Sequence, residues 1–88
     1  MTLHVRIDTM KDAERLSHIC RTYPDEIYLR SDKLCVDPKS VLGILALMYS
    51  ARDRMVIDTC AMTDETVAHL ILDLNEYLVP EEKSEIAS

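Results

Sequence analysis

The stretch DPKSVLGILAL, residues 37–47, decides the fold of this chain more than any other segment, because it combines a turn, a helix cap and an apolar run. Pro38 interrupts the extended segment before it, and Ser40 then stands where the N-cap of a helix is favoured. The apolar run that follows contains Gly43, the only glycine in the chain. The pattern predicts a short helix that is capped by Ser40 and continues to about Tyr49.

This short helix has more large apolar side chains than one face can bury. At helical spacing Val41, Leu42 and Leu45 lie together, whereas Ile44 and Leu47 point to the other side. We therefore expect Ile44 and Leu47 to face the core and the other three to form an exposed apolar patch. A helix that is buried on all sides is the alternative that the pattern leaves open.

Outward from this helix, the periodicity of apolar residues predicts four strands and two further helices. Thr9 and Asp12 form a capping-box pattern at the start of the first helix, and Thr63 opens the last helix with two acidic residues behind it. The predicted strands span residues 3–7, 26–30, 34–36 and 55–59, and the flanking helices span residues 10–23 and 64–78.

The order β-α-β-β-α-β-α is typical of an α+β fold, here an open-faced β-sandwich in which a four-stranded antiparallel sheet has three helices on one face. A split β-α-β start also occurs in ferredoxin-like folds, so the order alone leaves the topology of the sheet open. We expect one domain over residues 1–80 and a polar tail over residues 81–88.

Composition excludes several classes of function. The net charge of −6 argues against nucleic acid as a partner, because general nucleic-acid binding needs a basic surface. No apolar run approaches the roughly 20 residues of a membrane span, and the N-terminus has no pattern of a secretion signal, so we expect a cytoplasmic protein without membrane insertion.

The cysteines and histidines have no spacing that predicts a metal site or a catalytic centre. Cys20, Cys35 and Cys60 are far apart and contain no C-x-x-C pair, which favours reduced and mostly packed thiols over structural zinc. His4, His18 and His69 begin no predicted helix, and we expect each to be a solvent-facing or rim residue. We therefore expect no enzyme activity, no metal and no cofactor.

The element order, the element lengths and the segment from Lys39 to Gly43 together resemble HPr, the small phosphocarrier of the bacterial sugar phosphotransferase system. The resemblance extends from Leu3 to about Leu78 and is strongest over residues 25–47. It implies the open-faced fold described above. It also implies that the helix at Gly43 approaches the sheet closely.

The resemblance also implies that the carrier chemistry of the family is lost here. In the family a histidine at the start of the first helix accepts phosphate, and Thr9 occupies that position, with Lys11 where an arginine is usual. A threonine hydroxyl is a poor nucleophile without a base, and Asp12 would repel a phosphoryl group nearby. A working phosphocarrier with an unusual acceptor remains the first alternative.

The other residues that the resemblance singles out belong to regulation and binding. Ser40 matches the serine that HPr kinase phosphorylates in some bacteria. Lys39, Val41, Leu42 and Leu45 match positions that bind phosphotransferase-system proteins or transcription regulators. The sequence therefore predicts a regulatory binding protein that recognises partners of HPr. An interaction or oligomerisation module unrelated to sugar transport is the second alternative.

Overall fold

A computed structural model describes residues 2–32, 34–51 and 54–79 and has the predicted order of elements. It is an α+β fold with a four-stranded antiparallel sheet and three α-helices, as predicted. The strands are β1 (Thr2–Val5), β2 (Tyr28–Arg30), β3 (Cys35–Val36) and β4 (Met55–Asp58). The helices are α1 (Met10–Arg21), α2 (Val41–Ala51) and α3 (Asp64–Asp73), and a 3-10 turn follows at Asn75–Tyr77.

The sheet has the order β1-β4-β2-β3, and every neighbouring pair of strands is antiparallel. β1 and β2 are therefore parallel to each other, with β4 between them, and β3 and β4 are parallel, with β2 between them. The connections through α1 and α2 form two interleaved split β-α-β units. This arrangement makes α1 and α2 run antiparallel to each other, which brings the end of α1 to the start of α2.

One face of the sheet supplies the core and the helices cover it. Leu3 and Leu29 lie on either side of Ile57 in the register, and Val36 continues the same row. The prediction that Leu3, Val5 and Ile7 point inward is confirmed, although β1 itself ends at Val5. Leu74, the residue directly after α3, is buried in the same core. The helices contribute a shared set of buried residues to it: Ala13, Leu16, Cys20, Ile44, Leu47, Met48, Val67 and Leu70.

The first helix begins at the predicted capping box. The Thr9 hydroxyl accepts the Asp12 amide at 3.1 Å, and an Asp12 carboxylate oxygen accepts the Thr9 amide at 3.3 Å. The helix ends at Arg21, before Pro24, and Tyr23 lies beyond it. The Tyr23 hydroxyl donates to an Asp73 carboxylate oxygen at 2.5 Å and so ties the end of α1 to the end of α3. Burial and this hydrogen bond raise the pKa of Tyr23 to about 12.

The close approach of α2 to the sheet at Gly43 is present. A Cβ atom at this position would lie 3.2 Å from the Cβ of Val36 and 3.3 Å from the Asp37 carbonyl oxygen. Carbon atoms attract best at about 3.5–4.0 Å, so an added methyl group would be crowded. The glycine therefore lets the first turn of α2 lie directly against β3.

The last helix is shorter than predicted. α3 starts at the expected cap, where the Thr63 hydroxyl accepts the Thr66 amide at 3.2 Å, but it ends at Asp73. Leu78 pairs with Val5 across the free edge of β1 instead of continuing the helix. The amide of Val79 donates to the carbonyl of His4 at 2.9 Å. This segment acts as a short fifth strand, because it gives the backbone of β1 a partner on its outer side.

Other boundaries differ by a few residues. β2 and β3 are shorter than predicted, because the outer residues of the predicted strands form no ladder pairs. The hairpin between them is closed by a hydrogen bond from the Ser31 amide to the Leu34 carbonyl at 2.8 Å. α2 extends two residues beyond Tyr49, to Ala51, into the predicted loop. The predicted polar tail, residues 81–88, and the last residue of the predicted domain, Pro80, lie outside the described residues.

Candidate functional site

The start of α2 is organised around Ser40. Its backbone amide donates to the Asp37 carbonyl at 3.0 Å, and its hydroxyl accepts the Gly43 amide at 3.3 Å. Its carbonyl accepts the first intrahelical bond, from Ile44, at 3.1 Å. Ser40 is the predicted N-cap of this helix, and its side chain remains exposed to solvent.

Side-chain hydrogen bonds fix Lys39, the residue before the cap. The Lys39 carbonyl accepts the hydroxyl of Ser17 and the Nε of Arg21, each at 2.9 Å. The Lys39 ammonium donates to the Asp25 carbonyl, also at 2.9 Å. Ser17 is fully buried, so α1 determines where the start of α2 lies. Lys39 is half-buried, and these contacts hold the loop and helix together; its role in partner binding stays a prediction.

The outer side of α2 presents an apolar surface, as expected from the sequence. The Leu42 side chain is 79% exposed, whereas Val41 and Leu45 are half-buried. Ile44 and Leu47 lie in the core with no exposed surface. The helix is therefore buried on one side only, which rules out the alternative of a wholly buried helix.

The exposed surface extends further along the helix than the sequence analysis indicated. Tyr49 is 89% exposed, and Ala46 is exposed between it and Leu42. Helical spacing could have found this, because residues 42, 46 and 49 follow each other at four and three positions. We call Leu42, Leu45, Ala46 and Tyr49 the α2 face. It has no charged side chain, since α2 contains none.

Met10 adds a further exposed apolar side chain at the same end of the helix pair as Tyr49. It is the first residue of α1 and is 61% exposed. Arg21 near the other end of α1 contacts the start of α2, and the two helices are antiparallel. The start of α1 therefore lies towards the end of α2, which places Met10 towards the same end of the helix pair as Tyr49.

The N-terminus of α1, where the resemblance places the phosphate acceptor, is already occupied by the chain itself. Asp12 accepts the backbone amides of both Asp8 and Thr9, at 3.4 and 3.3 Å. The Thr9 hydroxyl is used as the cap of the helix. Lys11 is exposed in the first turn of the helix, close to Glu14 and Arg15. This arrangement places the Asp12 carboxylate on the two amides immediately before α1, so a phosphoryl group at this end of the helix would meet a negative charge.

The prediction for the cysteines is wrong in part. Cys20 is buried, and burial raises its pKa to about 12 from an ordinary value of 9.0. Cys35 and Cys60 are exposed instead of packed, because one lies on the uncovered side of β3 and the other in the turn after β4. His18 and His69 are exposed and His4 is half-buried on the sheet, in agreement with the expected solvent-facing or rim positions.

Within the described part of the chain, no group of three or more His, Cys, Asp or Glu side chains has a geometry that could hold a metal ion. Among the same residues, no helix is both long and apolar enough to cross a bilayer. The features that the structure brings together are therefore the capped start of α2, the anchored Lys39 and the α2 face. Comparison of the chain with models of protein families and with curated proteins gives no significant match.

Proposed function

We propose that this protein is a regulatory binding protein of the sugar phosphotransferase network, which docks on partners of HPr without carrying phosphate itself. The observation that supports this proposal best is the α2 face, which is exposed and free of charge and begins directly after a serine-capped helix start. The partners are phosphotransferase-system proteins or a transcription regulator that recognises HPr.

The α2 face has the chemistry of a protein-binding surface. Leu42 and Tyr49 are both almost fully exposed, and each would bury a large apolar area on docking. An apolar side chain that becomes fully buried contributes about 1.5–3 kcal/mol. Monomeric proteins rarely leave such a continuous apolar surface to water, and tyrosine is enriched at interfaces. A partner with an apolar groove fits this surface better than a small polar ligand does.

Ser40 would act as a switch for this surface. A phosphoryl group on its hydroxyl would lie at the start of α2, where the Gly43 amide already donates to that oxygen. The helix dipole favours a negative charge there, so the modification would be compatible with the fold. It would place about two negative charges two residues before Leu42, where they would oppose docking to an apolar or acidic partner.

The acceptor position opposes a carrier role. The Thr9 hydroxyl accepts the Asp12 amide as the cap of α1, and the Asp12 carboxylate accepts the backbone amides of Asp8 and Thr9. Two like charges about 5 Å apart repel by roughly 1 kcal/mol in water, and by a few kcal/mol at an effective dielectric constant near 20. Asp12 would therefore raise the free energy of a phosphoryl group at this place.

The first test is intact-mass spectrometry after incubation with phosphoenolpyruvate and enzyme I, with ordinary HPr in the same tube as a positive control. We expect HPr to gain one phosphoryl group and this protein to gain none. A phosphoryl group on this protein would overturn the proposal in favour of a carrier with an unusual acceptor.

The second test is an NMR titration with enzyme I, HPr kinase and regulators that bind HPr. We expect the amide signals of the α2 face to shift, and Leu42→Asp to abolish the shifts. Leu72→Asp is the matched control, because Leu72 is 74% exposed but lies on α3. If none of these proteins binds, the proposal is wrong.

Self-association is the second candidate function that the α2 face favours, since two copies could bury it against each other. Sedimentation velocity of the wild-type protein distinguishes this candidate from the first. A stable dimer that Leu42→Asp dissociates and Leu72→Asp does not, without affinity for any phosphotransferase protein, would make the α2 face a subunit interface.

A further inference from the structure

We propose that the face of the sheet opposite the helices holds a binding site for a small oxyanion, the phosphate or carboxylate group of a small organic ligand, with Arg30 and Arg54 as its binding residues. The proposal is independent of the function proposed above, because the α2 face lies on the helix side of the molecule.

The register of the sheet brings the two arginines together. Arg30 pairs with Val56 from β2, and His4 pairs with Val56 from β1. Arg54 lies immediately before β4 and two residues before Val56, so extension of the strand places it diagonally to Arg30, and both arginines line the same depression. Diagonal neighbours on one face of a sheet have Cβ atoms about 7–8 Å apart, within the reach of long side chains. Two guanidinium groups can therefore contact one ligand above Val56.

These residues line an open depression in the sheet surface. Its volume is about 640 Å³, within the roughly 300–1,000 Å³ that is common for small-molecule sites. Val56 provides an apolar base, and the arginines lie on two sides of it. The wall residues of the depression are His4, Arg30, Ser31, Asp32 and Arg54. This combination suits a ligand with a small apolar body and one anionic group.

The two guanidinium groups retain donors for such a ligand. In its ion pairs with described residues, each arginine uses one nitrogen: Arg30 Nε lies 3.5 Å from Asp58, and Arg54 Nη1 lies 2.9 Å from Asp32. A guanidinium group has five N–H donors in a planar fork that matches an oxyanion. Although the chain has a net charge of −6, the guanidinium groups of Arg30 and Arg54 both line one depression on this side of the sheet.

Asp32 is the competitor that an anion would have to displace. Its carboxylate and the Arg54 side chain are 68% and 72% exposed. Exposed ion pairs contribute little to stability, since water and salt screen them, so Asp32 can leave Arg54 without a large cost. Asp58 is less exposed and holds Arg30 in place at the edge of the depression. The site is therefore a weak one in the native protein, because an anion has to compete with Asp32 for Arg54.

The experiment is an NMR titration of the full chain with inorganic phosphate, glycerol 3-phosphate and acetate in separate arms, with sodium chloride at matched ionic strength as the reference. We expect saturable shifts of the amide signals around Arg30 and Val56 that sodium chloride does not produce. Shifts with the phosphates alone identify a phosphate ligand, and shifts with acetate alone identify a carboxylate ligand; either result supports the site. If none of the anions causes saturable shifts, the proposal is wrong.

Three variants test the assignment of residues. Arg54→Gln and Arg30→Gln should each weaken binding about tenfold, because each removes charged hydrogen bonds to the anion. Asp32→Asn should strengthen binding, because it removes the competing carboxylate. Arg15→Gln is the matched control: Arg15 is an exposed arginine in a 3.4 Å ion pair with Glu76, away from the sheet face. Binding that is unchanged in both Arg30→Gln and Arg54→Gln would overturn the proposal.

Discussion

Replacing Gly43 by alanine has two opposite effects on the free energy of unfolding. Within a helix, alanine is more favourable than glycine by about 1 kcal/mol, so an open site would be stabilised. Here the new methyl carbon would lie 3.2 Å from the Val36 Cβ and 3.3 Å from the Asp37 carbonyl oxygen. Both atoms are attached directly to the backbone or belong to it, so they cannot move aside as the end of a flexible side chain would.

Relief of this contact requires α2 to move away from β3 by a few tenths of an ångström, which also disturbs the buried Ile44 and Leu47. Overpacking of this kind costs about 1–3 kcal/mol. The net expectation for Gly43→Ala is a loss of about 1 kcal/mol, which lowers the melting temperature by roughly 4–8 °C in a domain of this size.

Urea unfolding followed by circular dichroism measures this change, with Ala46→Gly as the calibration. Ala46 is exposed on the same helix, so its replacement reports the helix propensity of α2 alone and should cost about 1 kcal/mol. If Gly43→Ala is instead more stable than the wild type by about the amount that Ala46→Gly loses, the close approach to β3 does not limit this position and our reasoning is refuted.

Other predictions follow from single contacts. Ser17→Ala should cost about 1 kcal/mol in urea unfolding, because it removes a buried hydroxyl donor that ties α1 to the start of α2; unchanged stability would contradict this role. Val79→Pro removes a backbone donor to β1 and should accelerate hydrogen exchange along that strand, and unaltered exchange would show that the fifth strand is dispensable. Iodoacetamide should label Cys35 and Cys60 in the native protein and Cys20 only after unfolding, as read by mass spectrometry. The raised pKa of Cys20 favours the protonated thiol in the folded state. Its contribution to the free energy of unfolding should therefore be present below pH 9 and be lost between about pH 9 and 12. A variant without this thiol should not show this loss.

The local features of the fold could be predicted because they depend on neighbours in the sequence. The Thr9–Asp12 capping box, the Ser40 cap and the inward side of β1 are set by spacings of two to four residues. The end of α3 could not be predicted in this way. Leu78 continues the apolar helical stripe, but the free edge of β1 offers it a pairing partner 73 residues earlier in the chain, at Val5.

The same distinction holds for the candidate site: features set by spacing within one helix could be predicted, and contacts between two helices could not. Helical spacing predicts that Leu42 points away from Ile44, and the structure agrees. It does not indicate that the hydroxyl of Ser17 and the guanidinium of Arg21 converge on the carbonyl before the Ser40 cap, since these residues lie on another helix. The exposure of Cys35 also depends on a face of the sheet that no helix of the described residues covers.

The sequence by itself determined the order of elements, their caps and the side that each strand and helix turns to the core, because periodicity and capping act over one or two turns of the chain. Only the tertiary structure decided the strand order β1-β4-β2-β3. It also decided that Arg30 and Arg54 line one depression on the open face of the sheet. Antiparallel pairing brings together residues that are far apart in the chain, and the choice among pairings depends on how the complete core packs.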